Sequence, residues 1–197
     1  MSAGAAAAAV PQIAKAANLW TEWNDTHGAC CQALSSAVNI LERLEVLSDD
    51  QVFADFCQLP EVQQHVLAKQ AASFNKALAL LHSHHDSLKG IVRELERLHI
   101  EAGRSLGAAA NLEAAATPVG PQPTVVERVE ALQDMWLMCK NELLLKIAAA
   151  SLVTLDLSPA DSAALMACYR RQPNVQPVKA NIVLALLKET APAPSQR

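Results

Sequence analysis

Apolar residues recur along the first part of the chain with a seven-residue period. Ile13, Trp20, His27, Leu34 and Leu41 form one row, and Ala16, Trp23, Cys30, Ala37 and Leu44 fall between them. A seam of this a/d type, sustained over several heptads, predicts one long helix from about residue 12 to 47. Ser48-Asp49-Asp50 breaks the pattern, and Phe53, Phe56 and Leu59 make a short apolar connection to Pro60, a residue suited to the first position of a helix. A second seam then alternates steps of four and three through Leu67, Ala71, Phe74, Leu78, Leu81, His85, Leu88, Val92, Leu95 and His99. It predicts a helix to about 102, long enough to lie antiparallel to the first.

Gly103, Gly107, Pro118, Gly120, Pro121 and Pro123 punctuate the next stretch, which reads as a flexible linker. Thr124 with Glu127 has capping-box spacing. Val125, Val129, Leu132, Trp136, Cys139 and Leu143 carry a third helix to about 155. Ser158-Pro159-Ala160-Asp161 supplies a cap, a proline at the first position and an acid in the first turn of a fourth, short helix that ends before Pro173. Pro177 opens a last one. The chain reads as all-α: a disordered alanine-rich extension (1–11), a long helical hairpin (12–102), a flexible linker (103–123), a C-terminal helical segment (124–189) and a disordered tail (190–197). The expected architecture is a coiled-coil-like bundle of a hairpin, a third long helix and two short C-terminal helices.

Leu143, Leu144 and Leu145 stand side by side between Glu142 and Lys146. Three consecutive side chains cover roughly 200° of a helix, more than the stripe that an edge helix hides. Val126, Leu137, Leu144 and Ile147 also lie off the main seam of the third helix. The short C-terminal helices, with Leu165, Met166, Tyr169, Ile182, Val183, Leu186 and Leu187, cover this excess, or a partner protein does. Trp20, Trp23 and Trp136 are read as bundle core, with partner anchors as the alternative.

Composition supports the helical reading. Hydrophobic residues are 51% of the 197, but 37 are alanine, which fills helices while contributing little burial energy; aromatic residues are 4%. The net charge of −4 is spread along the chain, with no basic stripe for nucleic acid. The five cysteines include adjacent Cys30 and Cys31 but no CxxC, a pattern of reduced, mostly buried thiols in an intracellular protein. The opening MSAGAAAAAV lacks the basic start and leucine-rich core of a signal peptide, and no apolar run approaches the ~20 residues of a membrane span.

Candidate chemistry is thin. His82-Ser83-His84-His85-Asp86 places His82 one turn from His85 and Asp86, a zinc-like spacing, but His85 belongs to the seam and His84 and Asp86 point elsewhere. Glu96-Arg97-Leu98-His99 is a single ExxH, whereas di-metal bundles need two with further glutamates. His27 and His99 read as polar layers that set register, as partners across the hairpin. No nucleophile elbow, P-loop, dinucleotide fingerprint or HExxH occurs. No metal, no cofactor and no enzymatic activity are expected. Thr117-Pro118 is a minimal proline-directed phosphorylation site in the linker, and Arg104-Ser105-Leu106 resembles a minimal cyclin-docking pattern, a weaker signal.

Two segments carry a resemblance. One is Asn-Leu-Trp-Thr-Glu-Trp-Asn-Asp-Thr-His-Gly at 18–28. The other runs from Trp136 through Asn141-Glu142-Leu143-Leu144-Leu145-Lys146 to Met166-Ala167-Cys168-Tyr169-Arg170-Arg171-Gln172-Pro173-Asn174-Val175 and Leu186-Leu187-Lys188-Glu189-Thr190. In order and type these resemble the cyclin-dependent kinase 2-interacting protein family, with Tyr169 where that family tends to have Trp. A fainter resemblance is to a ribosome-maturation factor of similar layout. The resemblance implies a non-enzymatic adaptor in nucleus and cytoplasm, with AAA+ ATPase subunits, a related helical adaptor and cell-cycle kinases as partners, and roles in DNA replication, checkpoint and large ribosomal subunit maturation. It implies Trp20, Trp23, Trp136, Leu143, Leu144, Leu145, Lys146, Tyr169, Gln172 and Pro173 as protein-interaction residues. The rival expectations are a self-associating coiled-coil module and an organellar assembly factor, the latter because the acid-poor first 20 residues have the composition of a degenerate transit peptide.

Overall fold

The structure, a computed structural model, describes residues 3–49, 60–107, 115–117 and 123–188. It is all-α, with no strand among the described residues. The helices are α1 (Ala3–Leu47), α2 (Pro60–Gly107), α3 (Val125–Ser151), α4 (Pro159–Arg171) and α5 (Pro177–Lys188). α1 starts well before the residue-12 boundary that the heptads suggest. Alanine has the highest helix propensity, so an alanine run prolongs a helix that its neighbours have already nucleated. α2 likewise runs through Gly103 to Gly107, and α3 stops at Ser151 rather than about 155. The Phe53–Leu59 connection, most of the expected linker and the expected tail lie outside the described residues.

Local chemistry explains the ends. At the start of α3, the Thr124 backbone N–H donates to Glu127 Oε2 (2.7 Å) and the Glu127 N–H donates to Thr124 Oγ1 (3.1 Å), a reciprocal capping box. At α4, the Asp161 N–H donates to the Ser158 hydroxyl at 3.1 Å, ahead of Pro159. α4 ends on Gln172, whose φ of 47° is left-handed, a conformation that stops a helix but costs a residue with a Cβ. Pro173 follows and cannot extend the helix.

The residues cluster into two compact units: Met1–Asp25 with Leu88–Leu143 and Pro173–Arg197, and Thr26–Ser87 with Leu144–Gln172. In the first, Trp23, Leu88, Leu95, Leu98, Leu132 and Leu187 are fully enclosed. Lys15 of α1 pairs with Glu94 of α2, and Lys179 of α5 with Asp134 of α3 at 2.8 Å. In the second, Cys30, Leu34, Ala37 and Leu81 form the inner layer, flanked by Leu165 and Met166 of α4. Gln63 Nε2 near the start of α2 donates to the Leu47 carbonyl at the end of α1 (3.3 Å). Lys15 with Glu94, and Gln63 with Leu47, make α1 and α2 an antiparallel hairpin. These ion pairs are exposed and worth little; the apolar seams carry the stability.

Candidate functional site

The seam of α3 is not the one that the leucine triplet suggests. Leu132, Met135, Cys139, Glu142, Lys146 and Ala150 form its most enclosed row, in steps of three and four. Glu142 and Lys146 have no exposed surface, Leu143 keeps 6% of its surface, and Leu144 is 58% exposed. The two charged residues that flank the leucines point inward, and the middle leucine points out.

In the second unit Lys146 meets Tyr169 of α4. Its Nζ donates to the Tyr169 carbonyl oxygen at 2.9 Å and stands 4.0 Å from the centre of the tyrosine ring. The ammonium thus gains an acceptor and a π face in place of water. The Tyr169 hydroxyl is hydrogen-bonded to His85 Nε2 of α2 at 2.7 Å. The His27 ring of α1 stacks on Tyr169, with ring centres 6.4 Å apart and planes 22° apart. Cys31 Sγ lies 3.6 Å from His27 Nε2, and Arg170 donates to the Ser35 hydroxyl at 3.0 Å. Tyr169 therefore ties α4 to α1, α2 and α3.

Burial chiefly, helped by the Lys146 charge, holds the His27 pKa down at about 4; a hydrogen bond to the Arg170 backbone works the other way. Burial raises the Cys30 thiol, against a hydrogen bond from Tyr169 and the Lys146 charge. Cys31 is raised for the same first reason. These polar groups bind one another, and Cys30 and Lys146 present no surface to a substrate. The cluster locks helices together. No group of three or more His, Cys, Asp or Glu residues is placed to hold a metal ion among the described residues.

In the first unit Glu142 Oε2 accepts from the Asn174 backbone N–H (3.1 Å) and from Asn174 Nδ2 (3.3 Å), fixing the turn after α4. His99 stacks on Trp136 (5.6 Å, 12°), and Lys140 Nζ lies over the Trp136 ring, 4.8 Å from its centre. The buried Trp136 Nε1 and His99 Nδ1 make no hydrogen bond. The expected pairing of His27 with His99 does not occur: His27 stacks on Tyr169 and His99 on Trp136, since an antiparallel register with Lys15 at Glu94 does not bring residue 27 to the end of α2.

The sequence-derived candidates divide by burial. Trp23, Leu143, Lys146 and Tyr169 are inside; Trp20, Trp136, Leu145 and Gln172 are half-buried; Leu144 and Pro173 are exposed, as is Thr117 at a bend. Leu152 and Leu155, just beyond α3, are each 62% exposed. They escaped the sequence reading, which ran the helix through them. No helix among the described residues is long and apolar enough to cross a membrane.

Enclosed seams, an interlocked polar cluster and an exposed leucine on α3 describe an all-helical protein. The chain belongs to the ribosome biogenesis protein C1orf109-like family, whose model matches residues 10–191. No curated protein matches it. This match overturns the resemblance to the cyclin-dependent kinase 2-interacting protein family. The physical reason is visible in where its motifs fall: Trp23, Leu143, Lys146 and Tyr169 are core, and Gln172-Pro173 is a helix stop. Such residues report a helical layout, not one family. The AAA+ ATPase, kinase, replication and checkpoint expectations rested on that resemblance and lose their support.

Proposed function

We propose that the chain serves ribosome biogenesis as a non-catalytic scaffold that holds a protein partner against the exposed face of α3. The family match supports the process. The observation that carries the mode of action is Leu144, 58% exposed two residues before a lysine with no exposure at all. Large apolar side chains uncovered on a rigidly held helix are a signature of protein contact. Leu152 and Leu155, beyond the end of α3, are further exposed leucines. Nothing in this surface calls for nucleic acid or lipid.

Replacement of the native chain by Leu144→Asp in its own cells tests this. The expected result is accumulation of precursor ribosomal RNA and a depleted mature-subunit peak on sucrose gradients. Normal processing by a variant with unchanged thermal unfolding would overturn it. A fluorescent fusion should distribute between nucleus and cytoplasm; signal confined to an organelle would instead make this an organellar assembly factor. The same exposed leucines suit a second copy of the chain, and sedimentation velocity over a hundredfold concentration range reads that directly.

A further inference from the structure

The second unit holds an open cleft of about 670 Å³ at the C-terminal end of α1. Its apolar wall comes from Leu41 and Leu44 of α1, Leu67 and Ala71 of α2, and Leu157 before α4. Glu42 and Glu45 also line it, both exposed, and neither makes an ion pair among the described residues. Among the described residues, no lysine, arginine or histidine lines the cleft. Arg43, next in sequence, donates instead to the Asn39 carbonyl at 3.0 Å.

Two further features make this end of the unit electrostatically incomplete. α1 has no basic residue in its last turn. Its C-terminal carbonyls carry the negative end of the helix dipole, which favours a cation. Neutral donors answer them: Ser48 Oγ bonds to the Leu44 carbonyl at 2.7 Å, and Gln63 bonds to that of Leu47. Glu45 adds a full negative charge to that end. The N-terminus of α4, on the other wall, already has its own acid, Asp161, hydrogen-bonded to Ser158 at 2.7 Å.

We propose that this cleft docks a basic amphipathic segment of a partner protein, with an apolar side chain between Leu41, Leu44 and Leu67 and a lysine or arginine over Glu42 and Glu45. Apolar burial supplies the affinity, and the two carboxylates with the helix dipole select the sign of the flanking charge. This gives the scaffold reading a partner chemistry and rests on it.

The test uses the full-length chain and two fluorescein-labelled 15-residue helical peptides. One places leucines at i, i+3, i+4 and i+7 with lysines beside them; the other has glutamate for each lysine. Fluorescence anisotropy should show the lysine peptide bound and the glutamate peptide not. Glu42→Lys with Glu45→Lys should weaken the lysine peptide at least about tenfold and admit the glutamate peptide. Glu42→Gln with Glu45→Gln should weaken it without that reversal, and Ala68→Trp, which fills the cleft from its edge, should block both peptides. Circular dichroism confirms that each variant is folded. Lysine-peptide binding that survives Ala68→Trp and the charge reversal overturns the proposal. So does a dimer of the native chain that Ala68→Trp dissolves, which assigns the cleft to a second copy. So does peptide binding seen only after Phe53→Ala and Phe56→Ala, which assigns it to the chain's own 50–59 connection. The RNA-processing assay is independent: a processing defect without peptide binding sinks the cleft alone, and peptide binding without a processing defect sinks the ribosomal role alone.

Discussion

Lys146 Nζ is 2.9 Å from the carbonyl oxygen of Tyr169 and 4.0 Å from the centre of its ring. One residue thus supplies a buried ammonium with both a hydrogen-bond acceptor and a π face, and one contact joins α3 to α4. Lys146→Ala removes a charged hydrogen bond and leaves the space of three methylenes and the ammonium. It is expected to cost about 3 kcal/mol, read as a lower urea midpoint with an unchanged slope. Lys146→Met keeps the volume and should cost about half of that, because only the polar contact goes.

Tyr169→Phe deletes the hydroxyl that bonds to His85 at 2.7 Å while keeping the ring under Lys146 and against His27. About 1–2 kcal/mol of stability should be lost. A double-mutant cycle with His85→Phe checks that the loss belongs to this pair: a coupling energy near zero would show that the hydroxyl and the imidazole act separately.

His27 makes stability depend on pH in a defined direction. Its pKa falls from 6.5 to about 4 on folding, so between those values the unfolded chain binds more protons than the folded one. Stability should therefore decline as pH falls from 6.5 to 4, with this group's share of the loss complete below 4. The urea midpoint of His27→Gln should fall less steeply over the same window. Nuclear magnetic resonance should find the His27 ring neutral at pH 6.

The cysteines should differ in reactivity. Cys168 is exposed, whereas burial raises the thiols of Cys30, Cys31 and Cys139, the last helped by the Glu142 charge. Brief iodoacetamide treatment of the native protein in a Cys57→Ser background should label Cys168 first, as read by peptide mass spectrometry. Faster labelling of Cys30 than of Cys168 would show that the Tyr169 cluster opens readily.

The helical layout was legible because it rests on short-range rules. Heptad spacing from Trp20 to Leu44 and from Leu67 to His99 places two helices, Thr124 with Glu127 caps a third, and Ser158-Pro159 starts a fourth. The inward turn of Glu142 and Lys146 was not legible: the expected seam stepped from Cys139 to Leu143, although Glu142 and Lys146 keep step with Leu132 and Cys139 equally well. Hydrophobicity argued the other way: three adjacent leucines look more like core than the charges beside them.

What the sequence determined alone is the set of helices, their caps and most of the apolar seam, because each depends on residues within a turn or two of one another. Tertiary structure decided which polar residues are buried, because a charge enters a core only where another helix brings it a partner. Tyr169, 23 residues after Lys146 and 84 after His85, is that partner. No local pattern encodes the meeting of groups so far apart, and the same meeting turns Leu144 outward.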